Sequence, residues 1–244
     1  SEQFHTNGQL KIRKNYKDGK QEGLDESFYD NGQLKDRKNR KNGKLDGLYE
    51  GFHRNGQLNF RDNYKNGQRE DGPSETYHDN SKLNSRNNYK NGKEHGLCET
   101  YYENGQLKFK GNYKNGVEHG SFEWFYENGQ LGFKGNFKNG EKEGLHESFD
   151  ENGQVITRDN YKNGQPGGLH ELFHENGQLF LRGNYKNGEI EGPLDRFDEN
   201  GQLVDRRNYK DGKLNGLFEF FDEDGNLTKT EEYNNGKLIH VQET

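Results

Sequence analysis

The chain has 244 residues, 25% of them hydrophobic and 32% charged, with a formal net charge of −6. No apolar run approaches the roughly 18 residues that a membrane-spanning helix needs, and the acidic balance argues against nucleic acid, whose binding calls for a basic patch. Alanine, the strongest helix former, is absent, the single cysteine excludes an intrachain disulfide, and the opening SEQFHTNGQL has none of the marks of a signal peptide.

Low hydrophobicity suits disorder, but 16 Phe and 14 Tyr recur here with strict periodicity. The string NGQL ends at Leu10, Leu34, Leu58, Leu107, Leu131, Leu179 and Leu203, and diverged copies end at Leu83, Val155 and Leu227. The step between these anchors is 24 residues, apart from one of 25 caused by an extra residue within Gln68–Asp71. Positions below are counted from the anchor of each copy. Position −6 is always aromatic, from Phe4 and Phe28 to Phe197 and Phe221, and position +6 is aromatic in every copy except the second, which has Arg40. An Asn-Gly or Asp-Gly pair follows position +6 in each copy, and a further glycine follows that, from Gly23 to Gly216.

Asn-Gly between aromatic runs is a hairpin signal, because both residues adopt left-handed backbone at little cost. Each copy therefore reads as strand, tight turn, strand and a longer glycine-bounded loop. In the fifth copy these are Leu97–Tyr102, Glu103–Gln106, Leu107–Tyr113 and Lys114–Gly120. The predicted fold is all-β: an elongated, single-layer antiparallel meander or solenoid of about ten tandem 24-residue hairpins, a single array over residues 1–244. Twenty strands at about 4.8 Å each give a length of roughly 95 Å.

The segment HGSFEWFYENGQLGFKGNFKNGEKEG, His119–Gly144, resembles the MORN-variant repeat of the YwqK-type bacterial proteins, often labelled antitoxins, and the resemblance extends over the whole chain. It implies elongated single-layer hairpin sheets used for protein or membrane contacts, with toxin neutralisation as one version. Copy two departs most, with Asp36, Lys38 and Arg40 where copy five has Phe109, Gly111 and Tyr113, which puts tight packing there in question.

Two registers compete at the NGQL turn. A two-residue turn sets position −8 opposite +3 and so matches Glu50 with Arg61, Glu75 with Arg86, Glu99 with Lys110 and Glu147 with Arg158. A turn with a glycine bulge instead sets the −6 aromatic beside the anchor leucine, Phe125 beside Leu131 for example. A one-residue slip reverses the faces of a strand, so the two readings exclude each other. Burying a Phe or Leu is worth about 1.5–3 kcal/mol and an exposed ion pair about 0–1, which favours the bulge. The expected sheet has Phe, Leu and Tyr on one face and Lys, Arg and Asn on the other, with the −8 glutamates unaccounted for on the apolar side. Nothing else in the chain covers that face, so it curls on itself, dimerises or holds a partner.

The functional expectation is a non-catalytic scaffold for protein–protein interaction, without cofactor or metal. His170 and His174 are four apart on a strand, and His146 and His170 two strands apart. Neither spacing suits a shared metal shell, so the histidines read as solvated. Cys98 could face His95 or His119, but its slot holds Asp25, Ser74 and Phe122 elsewhere and reads as variable surface. Asp222–Asn226 reads as a turn, not a calcium loop. Position −7 is small or polar in most copies but is Trp124 in copy six. With Phe122, Tyr126 and Tyr102 it forms a candidate protein-contact site, since Trp and Tyr dominate interface hot spots; stacking between neighbouring hairpins is the plainer reading. The +3 ladder Arg61, Arg86, Lys110, Lys134, Arg158 and Arg182 is a candidate contact for a polyanion or an anionic membrane surface, the alternative function. The array also begins within a first strand and ends with another at Leu238–Val241, so two expectations stand side by side: a segment of a longer protein, or head-to-tail self-association through these edges.

Overall fold

The computed structural model describes residues 1–243. The described chain forms twenty-three β-strands and no helix. It divides into two compact units at the bond between Glu118 and His119, and the 24-residue period continues through that point in the sequence. Within each unit the long strands pair antiparallel with those before and after them in the chain, an open meander built from local contacts.

Each period contains two turns, and the sequence sets them apart. At the NGQL motif only the glycine is left-handed: in copy five Gly105 has φ +91° while Asn104 stays in the ordinary region. The Gly105 N–H donates to the Tyr102 carbonyl at 2.8 Å and the Tyr102 N–H to the Gln106 carbonyl at 2.9 Å, the pattern of a type I turn closed by a glycine bulge. At the second motif both residues are left-handed, Asn115 at φ +55° and Gly116 at +81°, the two-residue type I′ turn. The expected loop Lys114–Gly120 is thus the end of strand Leu107–Lys114, a two-residue turn and the start of strand Val117–Phe125. The further glycine is no loop boundary either. In copy seven Gly144, at φ +75°, sits where Lys134–Asn136 opposes Glu143–Glu147 with two residues to spare. In copies four and nine this strand is divided, into Gln68–Arg69 and Gly72–Tyr77 and into Glu189–Ile190 and Gly192–Phe197, the second segment opening on Gly-Pro in both.

The two registers that seemed exclusive coexist. Tyr101 pairs with Leu107, as the glycine-bulge turn requires, and one step on Thr100 pairs with Phe109 and Glu99 with Lys110. Lys108 is the extra residue, a second bulge at position +1 that restores the charge-matched register. The same shift recurs at Ser27/Phe28, Gly51/Phe52, Ser148/Phe149 and Leu172/Phe173.

Because that bulge changes the parity of the strand, the expected division into an apolar and a polar face fails. Position −6 and the anchor share a face with −8 and +3, whereas +2 and +6 point to the other face with −7 and −9. Both faces are mixed, and Cys98 and Phe122 are the only buried apolar side chains among the described residues. Copy two fills its second face with charge: Arg40 pairs with Asp25 at 2.9 Å and Lys38 with Asp36 at 3.0 Å, so its departures from the aromatic pattern form an ionic network.

Both rows of turns are stitched from repeat to repeat. At the NGQL rim, His5, His53, His78 and His174 contact the carbonyl of the −6 residue in the following copy through Nε2, and Tyr29 and Tyr126 donate to it through the hydroxyl, all at 2.9–3.0 Å. The −3 asparagines donate to the carbonyl two residues further on, Asn31 to Arg54 and Asn128 to Glu151 for instance. At Asp150, Asp198 and Asp222 the carboxylate instead accepts from its own turn. At the other rim, the glycine of most type I′ turns donates back to the preceding hairpin, Gly164 to the Lys142 carbonyl and Gly212 to that of Ile190.

The +1 bulge carries a testable consequence. Deleting Asn59 in copy three forces a choice between the Phe52–Leu58 and Glu50–Arg61 pairings. The expected result is a loss of about 2–3 kcal/mol, the burial of one large apolar side chain, read as a lower denaturation midpoint. An unchanged midpoint would show the bulge to be dispensable.

Candidate functional site

The +3 side chains that formed the candidate polyanion contact stand in an alternating row. In the first unit Glu2, Arg13, Glu26, Arg37, Glu50, Arg61, Glu75, Arg86, Glu99 and Lys110 are cross-strand partners in that order. In the second, Glu123, Lys134, Glu147, Arg158, Glu171, Arg182, Asp195, Arg206 and Glu219 do the same. Glu50, Glu147 and Glu171, −8 glutamates unexplained from sequence, are each held between two cations. Glu50, only 1% exposed, accepts from Arg37 at 2.5 Å and from Arg61 at 2.9 Å. Glu147 accepts from Lys134 at 2.6 Å and Arg158 at 3.0 Å, and Glu171 from Arg182 at 3.0 Å. Arg86 meets Glu75 at 2.9 Å. The row is therefore a compensated lattice, not a cationic stripe. The cations also cover the aromatics of this face, Arg37 lying over Phe52, Lys134 over Phe149 and Arg158 over Phe173, each 5.3–5.6 Å from the ring centre.

Burial raises the carboxyl pKa of Glu50 and Glu147, but the hydrogen bonds and charges of the flanking cations outweigh it, and both sit below the ordinary carboxylate value.

On the opposite face, position −9 is an inward position and not variable surface: Asp25, Cys98, Phe122 and His146 are all buried there. Burial pushes the Cys98 thiol up, with a smaller push from the charge of Glu94 against a lowering backbone bond at Asn88, which leaves it a poor nucleophile. His146, expected to be solvated, is 3% exposed. Its ring lies 5.0–5.6 Å from those of Phe133, Phe137 and Tyr161, and its Nε2 is 2.9 Å from the Asn136 carbonyl. A Cβ on Gly135 would come within 2.5 Å of its Nδ1, so the absent side chain of Gly135 makes the space that the imidazole fills. Burial holds His146 below the ordinary imidazole value, the Asn136 bond only partly opposing it. Among the described residues no three His, Cys, Asp or Glu side chains converge as a metal-binding group.

Phe122 and Trp124 belong to strand Val117–Phe125, and Tyr126 follows its last residue. The Trp124 and Tyr126 rings meet edge to face at 4.4 Å, and Trp124 lies over the bulge residue of its own hairpin, where a Cβ on Gly132 would come within 2.0 Å of the indole. Trp124 and Tyr126 are half-buried. Phe122 lies below the surface, its ring 4.9 Å from Phe137. Tyr102 belongs to the first unit.

A surface that the sequence reading missed continues along this edge of the second unit. Position +1 is Lys11, Lys35, Asn59, Asn84 and Lys108 in the first five copies, then Gly132, Ile156, Phe180 and Val204. Ile156 is 42% exposed, and Phe180 packs edge to face on His174 at 4.9 Å. A cleft of about 510 Å³ separates Asp150, Val155 and Ile156 from Phe173 and His174. The change at +1 was visible in the sequence, but without the second bulge that position has no fixed face.

Stacked hairpins of this design, stitched turn to turn and lacking a conventional core, define a repeat module. The chain belongs to the MORN repeat variant family, whose model matches residues 1–18, 21–42, 45–66, 70–91, 94–115, 118–139, 142–163, 166–187, 191–211 and 214–238. The module is non-catalytic and serves interaction and scaffolding. No curated protein matches the chain. Among solved structures it is similar to a chain of the Photorhabdus luminescens Tc holotoxin pore carrying a TccC3 mutation, at 12% identity and a TM-score of 0.24 over 100% of this chain and 16% of that one. It is similar also to a chain of TcdB2-TccC3, at 10% identity and a TM-score of 0.22 over 96% of this chain and 17% of that one. The chain thus spans about one sixth of the length of either, and at these scores neither likeness bears on function.

Two predictions follow from the buried charges and the tryptophan. A depressed carboxylate pKa contributes stability that is present above the unfolded value of about 4.3 and lost as pH falls through the folded one. A depressed imidazole pKa favours the neutral form, so stability also falls once pH drops below the unfolded value of about 6.5. Melting curves should therefore decline in two stages. Glu50→Gln flattens the lower one and His146→Phe the upper one, and identical pH profiles for wild type and both variants would refute the assignment. Separately, Gly132→Lys drives a side chain into the indole and should cost about 1–3 kcal/mol as overpacking. Adding Trp124→Thr restores the Thr/Lys pair of copy five, and the double variant should recover most of that loss in chemical denaturation.

Proposed function

We propose that this protein is a scaffold that binds another protein through the apolar strip on the second unit: Trp124 and Tyr126, then Ile156, His174 and Phe180. The observation that carries the reading is the switch at the bulge position from Lys and Asn to Ile156, Phe180 and Val204 in consecutive copies. A protein with so little apolar surface to bury gains nothing internally from an isoleucine that is 42% exposed. Exposed aliphatic and aromatic groups gathered along one edge, with a cleft between hairpins, supply the desolvated centre that protein interfaces require. Neutralisation of a toxin is the version of this reading that the resemblance to YwqK-type repeat proteins supports.

Binding to an anionic membrane or polyanion through Arg61, Arg86, Lys110, Lys134, Arg158 and Arg182 is the weaker reading. Carboxylates stand beside these cations on the neighbouring strands, and pairing of that kind offsets the potential that would attract a polyanion.

The test is the double variant Ile156→Lys/Phe180→Lys, which installs at both bulges the residue that Lys108 already occupies in the same slot. Its melting midpoint should stay within a few degrees of wild type, while retention of the partner from a lysate of the source organism is lost. Equal retention by both proteins would remove the strip as the contact. Salt-sensitive flotation with anionic vesicles that disappears in Arg61→Gln/Arg86→Gln would establish the membrane reading instead.

A further inference from the structure

We propose that the cleft at Gly167 is a binding site for a carboxylate supplied from outside the chain. The argument rests on how the other repeats treat the same place. Position −12 lies just after one type I′ turn and reaches the first backbone N–H of the next. Glu22 accepts from the Asn42 N–H at 2.7 Å, Asp46 from Asn66 at 3.2 Å and Asp71 from Asn91 at 2.7 Å. Glu143 accepts from Asn163 at 3.0 Å, Glu191 from Asp211 at 2.9 Å, and Asn215 does the same for Asn235 through its amide oxygen at 3.2 Å. At Asp46 the lysine before the turn joins in, Lys65 Nζ lying 3.4 Å from the carboxylate. Five repeats thus contain, as internal ligand, a carboxylate held by a turn N–H, joined in one case by a lysine, and a sixth uses an amide oxygen; copies five and six fill the position with His95 and His119 instead.

Copy eight keeps the receptor and lacks the ligand. Position −12 is Gly167, while the turn N–H of Asn187 and the lysine before it, Lys186, are in place. Among the described residues no oxygen accepts from that N–H, and neither Lys186 nor Lys162 of the preceding turn meets a carboxylate. The missing side chain leaves a cleft of about 520 Å³ lined by Lys162, Gly167, Tyr185, Lys186 and Asn187. A Cβ on Gly167 would meet nothing closer than 3.9 Å, and the residue is not left-handed. The backbone therefore accommodates any residue here, and the glycine answers no conformational need. Charge-assisted bonds from an N–H and two ammonium groups are what an Asp or Glu side chain of a partner polypeptide, or a small free carboxylate, would complete. The site lies on the type I′ rim and does not depend on the apolar strip.

The test follows the Asn187 amide by NMR in the full chain. The probes are sodium acetate, a blocked peptide whose only carboxylates are glutamate side chains, and sodium chloride at matched ionic strength. Wild type should show a saturable downfield shift of Asn187 with carboxylate and not with chloride. In Gly167→Glu the resonance should already be displaced and the titration silent, with apparent affinity down by about tenfold or more, the worth of one such bond. Lys162→Gln/Lys186→Gln should weaken binding while leaving the unligated spectrum of the sheet unchanged. A response to the peptide at lower concentration than to acetate identifies a polypeptide as the source, and a response to acetate alone a small metabolite-sized carboxylate. Absence of a saturable shift, an equal shift with chloride, or a shift that persists in Gly167→Glu overturns the proposal.

Discussion

Every hairpin in this protein must satisfy two registers at once. The glycine-bulge turn sets the −6 aromatic beside the anchor, whereas charge matching needs the strands one residue out of step, and the extra residue at +1 reconciles them. Much else depends on that bulge. It places glutamate between cations on one face, turns the +2 and +6 rings to the other, and leaves its own side chain at an edge where it contributes little to packing. Small, charged and apolar residues are all accommodated there, so that edge is free to vary from copy to copy.

The stability of such a sheet cannot come from a conventional core, because almost nothing apolar is fully buried. It comes from neighbour contacts repeated many times: backbone ladders, an alternating charge row, rings covered by guanidinium and ammonium groups, and turns bonded to turns. This is the one-dimensional economy of repeat proteins, in which each unit is stabilised by the next. It explains how 32% charged residues are compatible with order. A glutamate as enclosed as Glu50 would be costly alone; between Arg37 and Arg61 it becomes a cross-link between three strands.

Repeat length, anchors, strand class and the NGQL turn were legible in the sequence, because Asn-Gly pairs and aromatic spacing act locally; the second Asn-Gly was read as part of a longer loop, although it closes a two-residue turn. The face of each side chain was not. A classic bulge carries no signature of its own: Lys108, Asn59 and Phe180 share no property that announces an extra residue, and energies weighed one pairing at a time forced a choice that the backbone avoids. His146 was misread for the same reason, since its burial depends on Gly135 across the strand. Trp124 stood out by type, and its companion Gly132 became meaningful only once the bulge brought the two together. The carboxylate cap at −12 was equally hidden, since Glu143 and Asn163 are twenty residues apart and meet only through the stacking of turns.

The stitching of the NGQL rim is uneven, and its gaps fall in a telling place. Where His53 or Tyr126 reaches across to the following copy, Asp150, Asp198 and Asp222 fold back on their own turns. Separating the rim at those copies breaks fewer bonds than elsewhere. The turn of Asp150 borders the cleft that exposes Ile156 and Phe173. Mechanical compliance and apolar exposure thus coincide, so the cleft can widen around an inserted side chain without tearing the ladders on either side. A rim of uniform histidines and tyrosines would be stiffer everywhere and would offer an incoming side chain no seam to open.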